Sequence, residues 1–245
     1  MNLAGDTNML SKKKIYFVLF IPFVLNLSIS FTISSYIYIK GTEMGLSFEE
    51  ISFEIMKTIY TYNFYWSFIQ IIVGLYAIKL MGGLTEFNKA FKFKEIKENF
   101  RGSLSVIIGL ILFSLIIIWG FQFLTAIAYG SMNAYFEEWK RLVAVLPLYT
   151  KIYMVLIAPF TAGIFEEAIW RWFGIEKQEE YYSSPKANAI QAIAFGLWHG
   201  ISFHTIATAI IGFIFGLIYI KRRRLGELVA AHIATDIIGF GMSFL

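Results

Sequence analysis

Cysteine is absent from this chain of 245 residues. Its absence excludes disulfide bonds, thiolate metal sites, a thiol nucleophile and palmitoylation. Charged residues are also scarce, at 16% of the sequence, whereas hydrophobic residues make up 58%. A soluble domain of this length needs more charge to cover its surface, so the composition indicates that lipid surrounds part of the protein.

Long apolar runs follow one another along the chain. A spanning helix needs roughly 20 mostly apolar residues, because the hydrocarbon core is about 30 Å thick. The runs are 15–39, 58–78, about 103–128, 142–172, 187–220 and 228–245. The run 187–220 is long enough for two shorter spans that meet near 202–205, so the sequence predicts an all-α, polytopic transmembrane bundle of about seven spans.

The distribution of charge predicts the orientation in the membrane. Lys and Arg cluster at 12–14, in the loop that follows the second run and at 221–224, whereas the loop 41–56 has four glutamates and neither Lys nor Arg. Cytoplasmic loops carry the excess of Lys and Arg. We therefore expect a multi-pass protein of the cell membrane with its amino terminus in the cytoplasm.

The unusual polar groups are all in the second half of the chain. We divide the sequence into residues 1–141, which are anchoring helices with a basic cytoplasmic loop, and residues 142–245. The second segment contains ionisable side chains within apolar runs. Such groups are costly in lipid and face the protein interior or a water-filled cavity, which makes them functional candidates.

The first polar segment is 165–171, with two glutamates and an arginine. Glu167 and Arg171 are four residues apart with the acid first, which favours an ion pair on one helix face. Glu166 points about 100° away from that face in an α-helix and has no partner at helical spacing. We interpret Glu167 and Arg171 as a structural brace and Glu166 as the group with a chemical role. Solvation of both acids at the cytoplasmic interface is the alternative.

Two further segments contain histidine. His199 shares a helix face with Phe195, and His204 lies near the predicted external turn, which makes it the weakest functional candidate. His232 and Asp236 are four apart on one face, and a carboxylate that bonds to a histidine fixes its tautomer and raises its basicity. These spacings predict one histidine on each of two neighbouring helices.

Glu166, His199 and His232 together form a set that can activate water. A carboxylate assisted by a histidine takes a proton from water while other polar groups hold the developing oxyanion. The same three side chains could instead bind zinc with an open position. The His-Glu-x-x-His and Gly-x-Ser-x-Gly signatures are absent, so neither a zincin nor a serine hydrolase is indicated.

The three segments, in this order, resemble the CAAX-protease and bacteriocin-processing family of intramembrane proteases, also called the CPBP or Abi family. Its motifs occur here as E-E-x-x-x-R at 166–171, F-x-x-x-H at 195–199 and H-x-x-x-D at 232–236. The match covers the last hundred or so residues, so the resemblance makes residues 142–245 a CPBP/Abi-like catalytic core. The first 140 or so residues carry no motif of the family.

The resemblance implies an all-helical bundle with a conical active-site cavity open to one side. Glu166 with His199 would activate the water that attacks a peptide bond, and His232 with Asp236 would support the oxyanion. An ionised Asp cannot donate to an oxyanion, so Asp236 is either protonated or only orients His232. The resemblance leaves metal dependence open, and zinc would be held by Glu166, His199 and His232.

We therefore expect an intramembrane endopeptidase that cuts a membrane-associated peptide or protein near the cytoplasmic side. Its partners would be that substrate and the lipid bilayer, with no nucleic acid. A non-catalytic immunity or scaffold protein of the same fold is the alternative. A proton-coupled transporter is a third class, and the lack of broken-helix repeats in the two halves argues against it.

Overall fold

A computed structural model describes residues 9–244, and within that range the backbone forms helices and no β-strand. Residues 1–8 of the predicted anchoring segment, and Leu245 at the end of the predicted last span, lie outside the described residues. The helices are α1 Lys12–Glu43, α2 Phe48–Thr61, α3 Tyr65–Leu80, α4 Leu84–Ala90, α5 Phe93–Glu98, α6 Phe100–Ala128, α7 Met132–Val145, α8 Leu148–Glu179, α9 Ser184–Trp198, α10 Phe203–Arg222 and α11 Leu225–Phe244.

The structure is an all-α bundle of a multi-pass membrane protein, as the sequence predicts. Five helices, α1, α6, α8, α10 and α11, are long and apolar enough to span a membrane. The pair α2 and α3, which meet at 47°, would make a sixth as one broken span. Helix α9 has 15 residues, fewer than the roughly 20 that a straight span needs. The predicted number of about seven spans therefore stays a prediction.

Helix α8 differs from the single α-helix expected for the run 142–172. Leu142 belongs to α7, and Pro147 at the N-cap separates it from α8. Within α8 the stretches Tyr153–Ile157 and Ala162–Phe173 are π-helical. Hydrogen bonds from residue i to i+5 widen the helix, and π-helical turns occur frequently at functional sites. The helix also continues beyond Trp172 to Glu179, which places Glu166 near the middle of the span.

Helices α9 and α10 form a tight antiparallel hairpin. The turn predicted near 202–205 follows Trp198, and Ser202 and Thr205 form a capping box at the start of α10. Gly196 and Gly216 allow the close approach, because a Cβ at Gly196 would meet Ala209 and a Cβ at Gly216 would overlap the side chain of Asn188. Small residues at such positions let membrane helices pack backbone to backbone.

Helix α8 lies at the centre of the bundle, with its π-helical stretch 162–173 packed against α3, α9, α10 and α11. Glycines bring two of these neighbours close. A Cβ at Gly163 would meet Ile233 of α11, and a Cβ at Gly74 of α3 would meet Phe165. The core position of α8 explains why its charged side chains are buried rather than exposed to lipid.

The helix ends form two faces that differ in charge. At one face Arg224 pairs with Glu95 at 3.3 Å and Arg223 pairs with Glu179 at 2.7 Å, which brings α5, α8 and the α10–α11 turn together. We call it the basic face, and its Lys and Arg residues are 12, 13, 14, 79, 89, 92, 94, 97, 101, 177, 186 and 221–224.

The other end of the bundle, the opposite face, contains α2, α7 and the ends of α6 and α11. Trp139 of α7 donates to the Ser243 carbonyl at 3.0 Å, and Arg141 lies 4.4 Å from the centre of the Phe53 ring of α2. The acidic segment 41–56 lies here; the sequence predicted a loop, but its residues from Phe48 onward belong to α2. The asymmetry of charge between the two faces matches the pattern that the sequence predicts.

Candidate active site

One cavity of about 1650 Å³ contains the side chains that the sequence singled out. Its lining includes Glu166, His199, His232 and Asp236, together with Arg171. The predicted convergence of the three motifs on one cavity is therefore what the structure shows. Ligand pockets for small molecules usually measure about 300–1,000 Å³, so this cavity has room for an extended peptide.

Glu166 is 1% exposed, and its two carboxyl oxygens have different surroundings. Oε1 accepts hydrogen bonds from Gln70 Nε2 and from Trp198 Nε1, each at 2.7 Å. Oε2 has no hydrogen-bond partner within residues 9–244, and the closest basic nitrogen is His232 Nε2 at 3.6 Å. One oxygen is thus fixed by two donors, while the other is buried without a hydrogen-bond partner in residues 9–244.

His232 is held by the neighbouring glutamate of α8. Its Nδ1 lies 2.7 Å from Glu167 Oε1. An ionised carboxylate only accepts, so Nδ1 is the donating nitrogen and Nε2 points to the other carboxyl groups. His232 Nε2 is 3.6 Å from Glu166 Oε2 and 3.6 Å from Asp236 Oδ2. This arrangement leaves Nε2 available for chemistry in the cavity.

The partner that orients His232 differs from the one that sequence spacing suggested. The sequence offered Asp236, four residues along the same helix, as the group that fixes the tautomer. In the structure that bond comes from Glu167, and the 3.6 Å between Asp236 Oδ2 and His232 Nε2 is too long for a hydrogen bond. The reason is packing, because the stretch 162–173 of α8 lies against α11 and brings Glu167 to the imidazole.

Glu167 and Arg171 form the predicted pair, with Oε1 and Nη1 separated by 3.3 Å and both side chains 0% exposed. The guanidinium also lies over two aromatic rings, 4.0 Å from the centre of Phe195 and 5.5 Å from that of Phe215. Such cation–π contacts stabilise a desolvated guanidinium by about 2 kcal/mol. Arg171 thereby compensates part of the negative charge of this buried cluster.

His199 lies at the end of α9 and lines the same cavity. Its Nδ1 is 3.0 Å from the Phe195 carbonyl, which only accepts, so Nε2 is the nitrogen without a backbone partner. Within the described residues of the chain, no hydrogen bond or ion pair joins His199 to Glu166. The predicted cooperation of these two residues stays a prediction, and His232 is the histidine nearer to Glu166.

His204 also lines the cavity, with its ring centre 5.6 Å from that of His199. The sequence ranked His204 as the weakest functional candidate because it follows the predicted external turn. That turn lies at the opposite face, and the cavity extends to it.

Sequence reasoning missed the two donors to Glu166. Gln70 is an amide inside the apolar run 58–78, and it is 4% exposed on α3. A lone amide in a spanning helix was the available signal. Trp198 directly precedes His199, and its own carbonyl accepts from Asn26 of α1 at 2.9 Å. Neither partnership follows from spacing, because it depends on how α1, α3 and α9 pack around α8.

Zinc binding by Glu166, His199 and His232 is the expectation that this geometry fits least well. No group of three or more His, Cys, Asp or Glu side chains in residues 9–244 is arranged to hold a metal ion. We derive no step through a metal, and the expectation of zinc stays a prediction.

Comparison with known families agrees with the motifs. A family model described as type II CAAX prenyl endopeptidase Rce1-like matches residues 147–238. The matched segment includes all three motifs and nearly all of α8 to α11. The chain matches no curated protein and no solved structure. The segment that carries the three motifs therefore matches the CAAX-protease, or CPBP, family.

Proposed function

We propose that this protein is an intramembrane endopeptidase in which Glu166 is the general base that activates water. Membership of the CAAX-protease family supports the class of reaction. The observation that carries the assignment is the asymmetry of Glu166, whose Oε1 is fixed by two donors at 2.7 Å while Oε2 has no hydrogen bond within residues 9–244. A general base needs one oxygen free and a rigid position relative to the substrate.

The reaction is the hydrolysis of a peptide bond by one water molecule. The water oxygen forms a bond to the carbonyl carbon while its proton moves to Glu166 Oε2, and the carbonyl electron pair moves to oxygen. When the carbon–nitrogen bond breaks, its electron pair stays on nitrogen and takes the proton back from Glu166. The products are a carboxyl group and an amine, and Glu166 returns to its starting state.

His232 is placed to stabilise the oxyanion of the intermediate. Its Nδ1 bond to Glu167 keeps the imidazole oriented, and a protonated ring carries a hydrogen on Nε2 as well. In that form Nε2 donates to the negative oxygen, and donors aimed at developing charge in a water-poor site contribute strongly to catalysis. His199, with Nδ1 engaged by the Phe195 carbonyl, supplies a second imidazole for the water or the oxyanion. We propose that Asp236 tunes the charge at His232 Nε2.

The substrate is a membrane-associated peptide or protein, and the protein acts in the cell membrane. The cavity is lined mainly by aromatic and aliphatic side chains, and its polar lining includes Asn63, Gln122 and Ser202 besides Glu166. Such a lining favours an apolar chain, which a bilayer supplies at high local concentration. A non-catalytic immunity or scaffold role is the competing proposal, and the same variants distinguish the two.

The test is Glu166→Gln, which keeps the size of the side chain and an oxygen that accepts from Gln70 and Trp198. Removal of a general base typically lowers a rate by about 10²–10⁴-fold. Peptides from membranes and culture medium are compared by mass spectrometry between cells with the wild-type protein and cells with the variant. We expect processed peptides to be lost, while the variant elutes as a folded protein in detergent.

Glu98→Gln is the matched control, because Glu98 is 64% exposed on the basic face and far along the chain from the motifs. It should leave processing at the wild-type level. Full processing by Glu166→Gln would contradict the mechanism. Biological function that survives the double variant Glu166→Gln, His199→Ala would support the non-catalytic role instead.

A further inference from the structure

The lining of the cavity comes from one end of the bundle. It includes residues of α2, α7, the second half of α6, the α9–α10 turn and the end of α11, all at the opposite face. Examples are Tyr60, Gln122, Tyr135, Trp139, His204 and Phe240. Within the described residues, no Lys or Arg of the basic face is among them. The cavity therefore extends from the motifs towards the opposite face.

The path from the motifs to the basic face is filled by side chains. Helices α8, α10 and α11 each continue from the cavity into tightly packed core before they reach the basic face. The core residues there are 0–4% exposed, and they are Trp172, Ile175, Tyr219, Leu225 and Leu228. Protein interiors are packed as densely as organic crystals, so a peptide chain has no route to Glu166 from the basic face.

The charge of the two faces assigns each to a side of the membrane. The basic face carries the Lys and Arg clusters of short loops, which remain in the cytoplasm under the positive-inside rule. The opposite face holds the acidic segment 41–56. It also holds the amphipathic helix α7, whose Tyr135 and Trp139 line the cavity. Tyr and Trp are enriched at membrane–water interfaces, so α7 is suited to lie at the outer interface.

We infer that the substrate reaches Glu166 from the non-cytoplasmic side, and that it is an apolar membrane-inserted peptide segment with its scissile bond near the middle of the bilayer. The inference rests on the proposed function, because it names the substrate of the same site. It differs from the expectation of cleavage near the cytoplasmic side, which stays a prediction. That expectation measured the depth of Glu166 from Trp172, whereas α8 continues to Glu179.

The absence of cysteine allows a direct test by single-cysteine labelling. Gln122→Cys places a thiol in the cavity near the opposite face, Lys140→Cys places one on exposed α7, and Lys94→Cys, at a side chain 89% exposed, reports the basic face. Intact cells are treated with a membrane-impermeant sulfonated maleimide, with and without permeabilisation. Lys140→Cys keeps the test informative if Gln122→Cys does not fold.

We expect the thiols at 122 and 140 to react in intact cells and the thiol at 94 to react only after permeabilisation. Labelling at 122 should also lower peptide processing at least tenfold, whereas labelling at 94 should leave it unchanged. The reverse pattern, with 94 labelled in intact cells and 122 and 140 protected, would overturn the inference.

Mapping of the cleavage sites tests the substrate class. The peptides that depend on an intact Glu166 should be cut near the middle of an apolar segment. Cuts at the cytoplasmic ends of such segments would refute the inference while the endopeptidase assignment stands. Processing that is the same with Glu166→Gln would refute the proposed function itself, whatever the labelling shows.

Discussion

Substitution of Gln70 by methionine separates the catalytic from the structural contribution of one buried hydrogen bond. Gln70 Nε2 donates to Glu166 Oε1 at 2.7 Å, and a hydrogen bond to a charged group contributes about 1.5–3 kcal/mol. Methionine has a similar shape and no donor. If that energy is used to hold the general base in place, its loss lowers the rate of cleavage by about 10- to 150-fold, at about 1.4 kcal/mol per factor of ten.

The stability of the folded protein should change much less than the rate. Gln70 Oε1 is buried and accepts no hydrogen bond within residues 9–244. An unsatisfied buried acceptor costs about 1–3 kcal/mol, and Gln70→Met removes that cost together with the bond to Glu166. The two effects on the free energy of unfolding have opposite sign and similar size. We expect a net change of less than about 1 kcal/mol.

The assay compares kcat, KM and the thermal unfolding midpoint of purified protein in detergent, with a processed peptide as substrate. The expected result for Gln70→Met is a lower kcat with KM and the midpoint nearly unchanged. Ser67→Ala is the contrast on the same helix, because Ser67 bonds to Tyr153 and Thr161 at 2.7 Å each. It should lower the midpoint and leave kcat in place. Wild-type kcat in Gln70→Met would refute the reasoning.

Two further substitutions test the packing that supports the site. Gly216→Ala places a Cβ against the side chains of Asn188 and Gln191, so we expect a loss of about 1–3 kcal/mol in unfolding free energy from overpacking, measured by thermal unfolding in detergent. Glu227→Gln breaks the pair between a fully buried carboxylate and Arg222 at 2.6 Å, and we expect a loss of about 3 kcal/mol. The measurement for Glu227→Gln is the denaturant midpoint of unfolding. An unchanged midpoint would contradict this prediction.

The sequence was sufficient for the all-α membrane fold and for the grouping of the motifs. Apolar length predicts the spans α1, α6, α10 and α11, since lipid requires helices whose backbone is fully hydrogen-bonded. Intramembrane charge predicts the cavity residues, because a charged group such as Glu166 is too costly to face lipid. The cost of an unpaired backbone group in lipid and the cost of a charged side chain in lipid are both large, so they determine these features of the fold.

The finer geometry required the packed structure. The stretch 162–173 is π-helical, and α-helical spacing could not show that Glu166 and Glu167 both approach the imidazole of His232. A π-helical turn is marginal by itself and persists where neighbouring helices support it, here at Gly163 against α11. The bond from Gln70 to Glu166 could not be predicted from the sequence for a related reason. Hydrogen bonds between helices that are distant in sequence leave no periodic signal.

The contacts between the motifs explain why they act as one unit. Glu167 of the first motif accepts from His232 of the third at 2.7 Å and pairs with Arg171 at 3.3 Å. Arg171 in turn lies 4.0 Å from the ring centre of Phe195, whose carbonyl is the partner of His199 Nδ1. The guanidinium therefore links the groups that orient both imidazoles. The guanidinium nitrogens have no hydrogen-bond partner in residues 9–244, so Arg171 acts through its charge and its ring contacts. We expect its loss to disturb His199 and His232 together.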